Sequence, residues 1–149
     1  MRADLRSIAG TANDDPRERL LNSAGPLTDY EVFHDLILVA TYIRPPIMME
    51  KEDGTPYEFQ LTDKTLAEDR FQGKIGLVLK VGPTAFADGG GKWYGGVTVE
   101  PGDWVVYRPS DGIEVFIKDH AGQKNDGLPC RWLAADALLG RVTDPAMIY

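Results

Sequence analysis

A single cysteine, Cys130, stands among 149 residues and leaves no partner for an intrachain disulfide, which fits a reducing compartment. Histidine is almost as scarce. His34 and His120 lie far apart, and neither stands in a His-Glu-x-x-His or Cys-x-x-Cys setting, so no zinc site is expected. Basic residues are outnumbered, with 16 Lys and Arg against 23 Asp and Glu and a formal charge of -7. Nucleic-acid partners, which call for a basic stripe, are therefore set aside. No apolar run reaches the roughly eighteen residues that a membrane helix needs. The opening MRADLRSIAG lacks the apolar region of a secretory signal, so a soluble, cytosolic protein is the expectation.

What is present points to one domain rich in strands. Hydrophobic residues make up 43% of the chain, enough for one modest core. Sixteen glycines and ten prolines, scattered without a period, break the apolar stretches into short pieces, the pattern of an all-β fold.

Residues 1–29 are polar and of mixed charge. Within them Asp15-Pro16 predicts a helix N-cap followed by proline at the first helical position, with a stop near Gly25-Pro26. Leu20 and Leu21 are its main apolar residues, so this segment reads as an arm lying on the body or on a neighbour, or as a partly ordered tail. The body is expected over 30–142. Its first strand runs from Val32 to Ile43 and is apolar on both alternating sets, which requires cover on two sides; an interior on one and a subunit contact on the other would supply it. Residues 44–72 lose this pattern and are too long and too charged for a simple connection, which marks a functional loop.

GKIGLVLKVGP, residues 73–83, reads as a half-buried strand with Ile75, Leu77, Leu79 and Val81 on one face. A glycine-rich excursion carrying Trp93 and Tyr94 follows. Pro101-Gly102 then gives a tight turn, and the Ser110-Asp111-Gly112 turn predicts a β-hairpin between strands over 103–108 and 113–118. A strand with Leu128, Cys130 and Trp132 on one face, a helical turn near 135–138, a last strand and a tail over 143–149 complete the chain.

Three segments in order resemble the chaperonin-10 (GroES-like) co-chaperonins. His34-Asp35 leads into an aliphatic strand, GKIGLVLKVGP resembles the family's second glycine-led strand, and VEPGDWVVYRPSDGIEV is similar to its Val-x-x-Gly-Asp hairpin. The closing LAADALLGRV is similar to the family's final turn and strand, so the resemblance spans about residues 32–142. It implies a small β-barrel in a homo-oligomeric ring that caps a GroEL-like chaperonin through its long loop. The added ends and the enlarged GGGKWYGG excursion resemble bacteriophage-encoded members. The family therefore leaves two expectations, a co-chaperonin in the bacterial cytoplasm or a virion structural protein contacting capsid or tail neighbours.

The loop's docking tripeptide falls on Phe59-Gln60-Leu61. The family's anchor is aliphatic at all three positions, whereas Gln60 puts an amide in the middle, at a cost of about 1–3 kcal/mol if left unpaired in an apolar groove. Ile47, Met48 and Met49 form the alternative anchor, soft side chains suited to adaptable surfaces. Gly73 and Gly82 are expected to turn the backbone at the ends of a strand, Pro101-Gly102 to make a tight turn, and Asp103 to stabilise that turn by accepting backbone N–H groups.

Catalysis has little to work with. His34 beside Asp35 reads as a structural pair, His120 as a solvated loop residue and Cys130 as core. GGGKW lacks the spacing and the Ser or Thr of a phosphate loop. The chain is too short for the dinucleotide half of the dehydrogenases that contain a GroES-like domain. No catalytic residue, cofactor or metal is expected.

Overall fold

The computed structural model describes residues 15–43, 47–50, 56–59, 74–87, 93–121 and 127–148. Among the described residues eight strands run in chain order as β1 (Leu36–Thr41), β2 (Ile47–Glu50), β3 (Pro56–Phe59), β4 (Ile75–Val81), β5 (Trp104–Val106), β6 (Ile113–Ile117), β7 (Leu128–Ala134) and β8 (Gly140–Val142). Six of them form one antiparallel sheet in the order β6-β7-β1-β4-β5-β8, and β2 pairs with β3 in a separate hairpin. The one α-helix among the described residues is α1, Pro16–Ala24. Short 3₁₀ turns occupy Ala135–Ala137 and Pro145–Met147.

β1 lies inside the sheet between β7 and β4, as its two apolar faces require. Leu38, Ala40 and Tyr42 enter one buried cluster, and Ile37 and Val39 enter a second on the opposite face. Both covers come from the chain itself, so β1 needs no subunit contact, contrary to the expectation for its second face. The strand is also shorter than the sequence implied, because His34 at φ 55° and the Leu36 N–H to Phe33 carbonyl bond fold residues 33–36 into a turn.

The first cluster draws on all six strands of the sheet, including Ile117 of β6, Cys130 of β7, Leu77 of β4 and Trp104 of β5, with Val142 of β8 packed against it. Tyr42 and Trp104 meet edge to face at 5.6 Å within it, a geometry that aromatic pairs favour.

α1 closes one side of this cluster. Asp15 caps it by accepting the Arg17 N–H at 3.0 Å, Pro16 occupies the first turn, and Gly25 at φ 61° ends it. Leu20 and Ala24 are buried in the cluster. The segment after it is tied down from two directions. Lys80 Nζ donates to the carbonyls of Leu27 at 3.0 Å and Tyr30 at 2.6 Å, and the His120 N–H donates to Ser23 at 2.7 Å. The helix is thus part of the body. At the other end Pro145 is buried and Ile148 packs on the same cluster, so the last residues are also held by the sheet.

Two local predictions fail. The β1–β4 register shifts between Leu38, opposite Lys80, and Val39, opposite Val78. This β-bulge breaks the alternation, so Val81 packs with Val78 on the second face while Leu79 stays on the first. The hairpin between 103–108 and 113–118 does not form. The turn is present, with the Asp111 N–H donating to Arg108 at 3.0 Å and Gly112 at φ 76°. β5 pairs with β4 and β8, however, while β6 pairs with β7.

Candidate functional site

The 44–72 segment leaves and rejoins the sheet at one place. Thr41 pairs with Gly76, and the Tyr42 N–H donates to the Ile75 carbonyl at 3.0 Å. Beyond this root the backbone of β2 and β3 pairs antiparallel, with Ile47 opposite Phe59, Met48 opposite Glu58 and Met49 opposite Tyr57. The segment that the sequence presented as an unpatterned loop therefore contains a hairpin. Its register brings Ile47, Met48, Met49 and Phe59, residues of the two alternative anchors, into one ladder. Gln60, Leu61 and Gly73 lie outside the described residues.

Gly82 begins a turn at the end of β4, its carbonyl accepting the Ala85 N–H at 3.2 Å, and close approach is what requires glycine there. Its φ is not in the left-handed region, but a Cβ there would collide with the carbonyls of His34, Leu36 and Phe33. The Gly82 N–H donates to Leu36 at 2.8 Å and the Thr84 N–H to His34 at 3.0 Å, locking the 33–36 turn against the end of β4. Pro101 and Gly102 occupy the middle of a turn closed by the Asp103 N–H to Glu100 carbonyl bond at 3.1 Å, with Gly102 at φ 99°. Asp103 Oδ2 accepts the Glu100 N–H at 2.9 Å and meets Arg141 Nη1 at 3.2 Å. Arg141 also donates to the Thr98 carbonyl at 2.8 Å, tying this turn to β8.

The second face carries a buried polar group that the sequence did not reveal. Tyr107 lies over Gly76, and its hydroxyl donates to the Ile75 carbonyl at 3.3 Å. The buried Arg131 sits 5.9 Å from the Tyr107 ring centre and donates from Nη1 to the Asp111 carbonyl at 2.8 Å, fastening the β5–β6 connection to β7. Burial pushes the Tyr107 phenol up to about 12, with the Thr41 hydroxyl and the Arg131 charge acting the other way. No sequence motif announces such a contact, because its members lie in β1, β4, β7 and the residues flanking β5 and β6.

Residues with catalytic chemistry remain apart. Cys130 is fully buried in the first cluster, and burial pushes its thiol up to about 12, the direction opposite to an activated nucleophile. His34 belongs to the turn before β1, and the His120 ring lies over Gly25. Among the described residues no three His, Cys, Asp or Glu side chains group in a way that could hold a metal, and no helix is long and apolar enough to cross a membrane.

A groove of about 570 Å³ lies beyond the second cluster, lined on one side by Phe86, Trp93, Tyr94 and Val97 and on the other by residues of the 135–141 segment. Phe86 and Tyr94 pack edge to face at 5.1 Å on its wall. Phe86 holds φ 63°, a left-handed conformation that costs a bulky residue about 1–2 kcal/mol. Trp93, Val97 and Leu139, which also line the groove, are 86%, 52% and 56% exposed. The sequence marked the Trp93-Tyr94 pair, but Leu138 and Leu139 reach it only through the fold. In comparison with known proteins, the chain matches no family model and no curated protein.

Proposed function

We propose that this protein is a GroES-like co-chaperonin, a non-enzymatic homo-oligomer that caps a GroEL-like chaperonin through its 44–72 arm and assists folding in the bacterial cytoplasm. The observation that carries this reading is the root of the arm. An insertion that departs and returns across a single ladder bond, Tyr42 to Ile75, is attached to the body without interrupting it. Such an arm can engage a partner while the sheet stays intact.

The barrel part of the proposal is that this six-stranded antiparallel sheet closes on itself. What supports it is that one buried cluster runs along a single face of the sheet from Ile117 of β6 to Trp104 of β5, and that the connection between these strands is pinned to β7 by Arg131. The segments carrying the family resemblance supply these strands.

Pull-down with a bacterial chaperonin in the presence of ATP tests the proposal. A nucleotide-dependent complex is expected, and the paired change Phe59→Ala, Leu61→Ala is expected to reduce it at least tenfold. Unchanged binding by that variant moves the anchor to Ile47, Met48 and Met49. Absence of any nucleotide-dependent complex with the arm intact refutes the co-chaperonin reading.

One observation favours a second reading, a bacteriophage virion structural protein that uses the body as a scaffold. The arm contains a formed hairpin, β2 with β3, and a preformed element suits a fixed contact with a capsid or tail neighbour. Stoichiometric presence in purified particles, measured by mass spectrometry, establishes this reading; complete absence removes it.

A further inference from the structure

We infer that the groove beside β8 binds a neutral saccharide, with one sugar ring stacked on Trp93 and its hydroxyls shared between Asp136 and Arg141. The groove has the size for it, because about 570 Å³ falls within the roughly 300–1,000 Å³ of small-molecule sites. Its apolar side is aromatic and open. Trp93 is 86% exposed, and Val97 and Leu139 are exposed in the same groove, a grouping that single apolar residues scattered on a surface do not make. Phe86 holds its ring edge to face against Tyr94 from a left-handed backbone conformation, and strain of this kind gathers at functional positions. An aromatic face is electron-rich, so what it attracts without a full charge is the weakly positive C–H side of a ring. A pyranose presents such a side.

The polar part of the lining selects a ligand rich in hydroxyls. Asp136 and Arg141 are its one acid and its one base, so the charges balance and favour an uncharged occupant. The carboxylate only accepts hydrogen bonds and the guanidinium only donates them. A hydroxyl does both, so the hydroxyls along a saccharide can serve the two groups, whereas a hydrocarbon would leave both desolvated and unpaired. Arg141 is held in place for this. Its bonds to the Thr98 carbonyl and the Asp103 carboxylate both leave from Nη1, which fixes the guanidinium while Nε and Nη2 keep their own N–H groups. Saccharide binding here needs neither the 44–72 arm nor its partner.

Titration of the full-length protein with maltose, cellobiose, lactose and N,N′-diacetylchitobiose, followed by tryptophan fluorescence, tests the inference. Trp104 is buried and Trp132 half-buried, so Trp93 is the tryptophan that a ligand can cover. A saturable blue shift is expected with at least one of the four sugars, and none with an uncharged, end-capped alanine-serine-glycine peptide. The exposed changes Trp93→Ala and Asp136→Ala, made separately so that each is judged in a folded variant, are each expected to weaken binding at least tenfold by calorimetry. No saturable shift with any of the four sugars, equal binding of the peptide, or binding that either folded variant retains overturns the inference. So does a change of oligomeric state on Trp93→Ala, measured by sedimentation, because a second copy then covers the groove.

Discussion

The Tyr42 N–H and the Ile75 carbonyl, 3.0 Å apart, close the β1–β4 ladder at the point where residues 44–72 leave the sheet. Everything proposed for the arm depends on this bond. It makes the insertion an attachment on a finished hairpin, with Tyr42 and Ile75 both buried in the first cluster.

Replacing residues 44–72 by a short Asn-Gly turn is therefore expected to leave the body folded. Each doubling of loop length costs only about 0.6 kcal/mol of closure entropy, so shortening the connection is mildly stabilising. Thermal unfolding followed by circular dichroism is expected to show a midpoint equal to or a few degrees above that of the intact chain. A collapse of the transition would show that the arm is part of the core.

Gly82→Ala is expected to destabilise by about 3 kcal/mol, through steric displacement of backbone that cannot yield cheaply. A Cβ at 82 meets three carbonyls of the 33–36 turn. Gly76→Ala is expected to cost somewhat less. A Cβ there comes within 3.0 Å of the Ala40 carbonyl and of the Tyr107 hydroxyl, and the tyrosine side chain has some freedom to shift. Urea denaturation of the two variants against the parent measures both effects.

Stability is expected to fall in alkali. The folded-state values of Cys130 and Tyr107 are raised to about 12 from 9.0 and 10.0. Their protons are thus held more tightly in the folded chain than in the unfolded one. The stabilisation tied to them is fully present below pH 9 and is lost as pH rises towards 12, at up to about 1.4 kcal/mol per pH unit for each group. Urea unfolding between pH 8 and 11.5 is expected to show this decline. Tyr107→Phe is expected to flatten the slope above pH 10 and to cost about 1 kcal/mol at neutral pH through the lost bond to Ile75.

Asp103→Ala is expected to cost about 1–2 kcal/mol, because it removes the acceptor of the Glu100 N–H and the partner of Arg141. Asp103→Asn, which retains a side-chain carbonyl acceptor, is expected to recover about half of that loss. Equal losses in the two variants would assign the effect to the charge alone.

Local features of the fold were legible because local chemistry determines them. Asp15-Pro16 and Gly25 bracket α1, and the doubly apolar run from Leu36 to Thr41 identifies a strand buried on both faces. Features set by distant partners were not legible. The bulge opposite Leu38 and Val39 has no distinguishing residue, so alternation misassigned Val81. Ser110-Asp111-Gly112 specifies a reversal of the chain but not which strands pair after it, and β5 and β6 find different neighbours. The arm's charged composition concealed the β2–β3 pairing. The groove was half visible in Trp93-Tyr94 and half hidden in Leu138-Leu139, which only the 135–137 turn brings alongside.

The most direct test of the co-chaperonin reading is native mass spectrometry of the protein mixed with a bacterial chaperonin and a non-hydrolysable ATP analogue. A discrete complex of one homo-oligomeric ring of this chain on the chaperonin is expected, absent without nucleotide and absent when residues 44–72 are replaced. A chaperonin that stays bare under all conditions, or a complex that forms equally well without the arm, would contradict it.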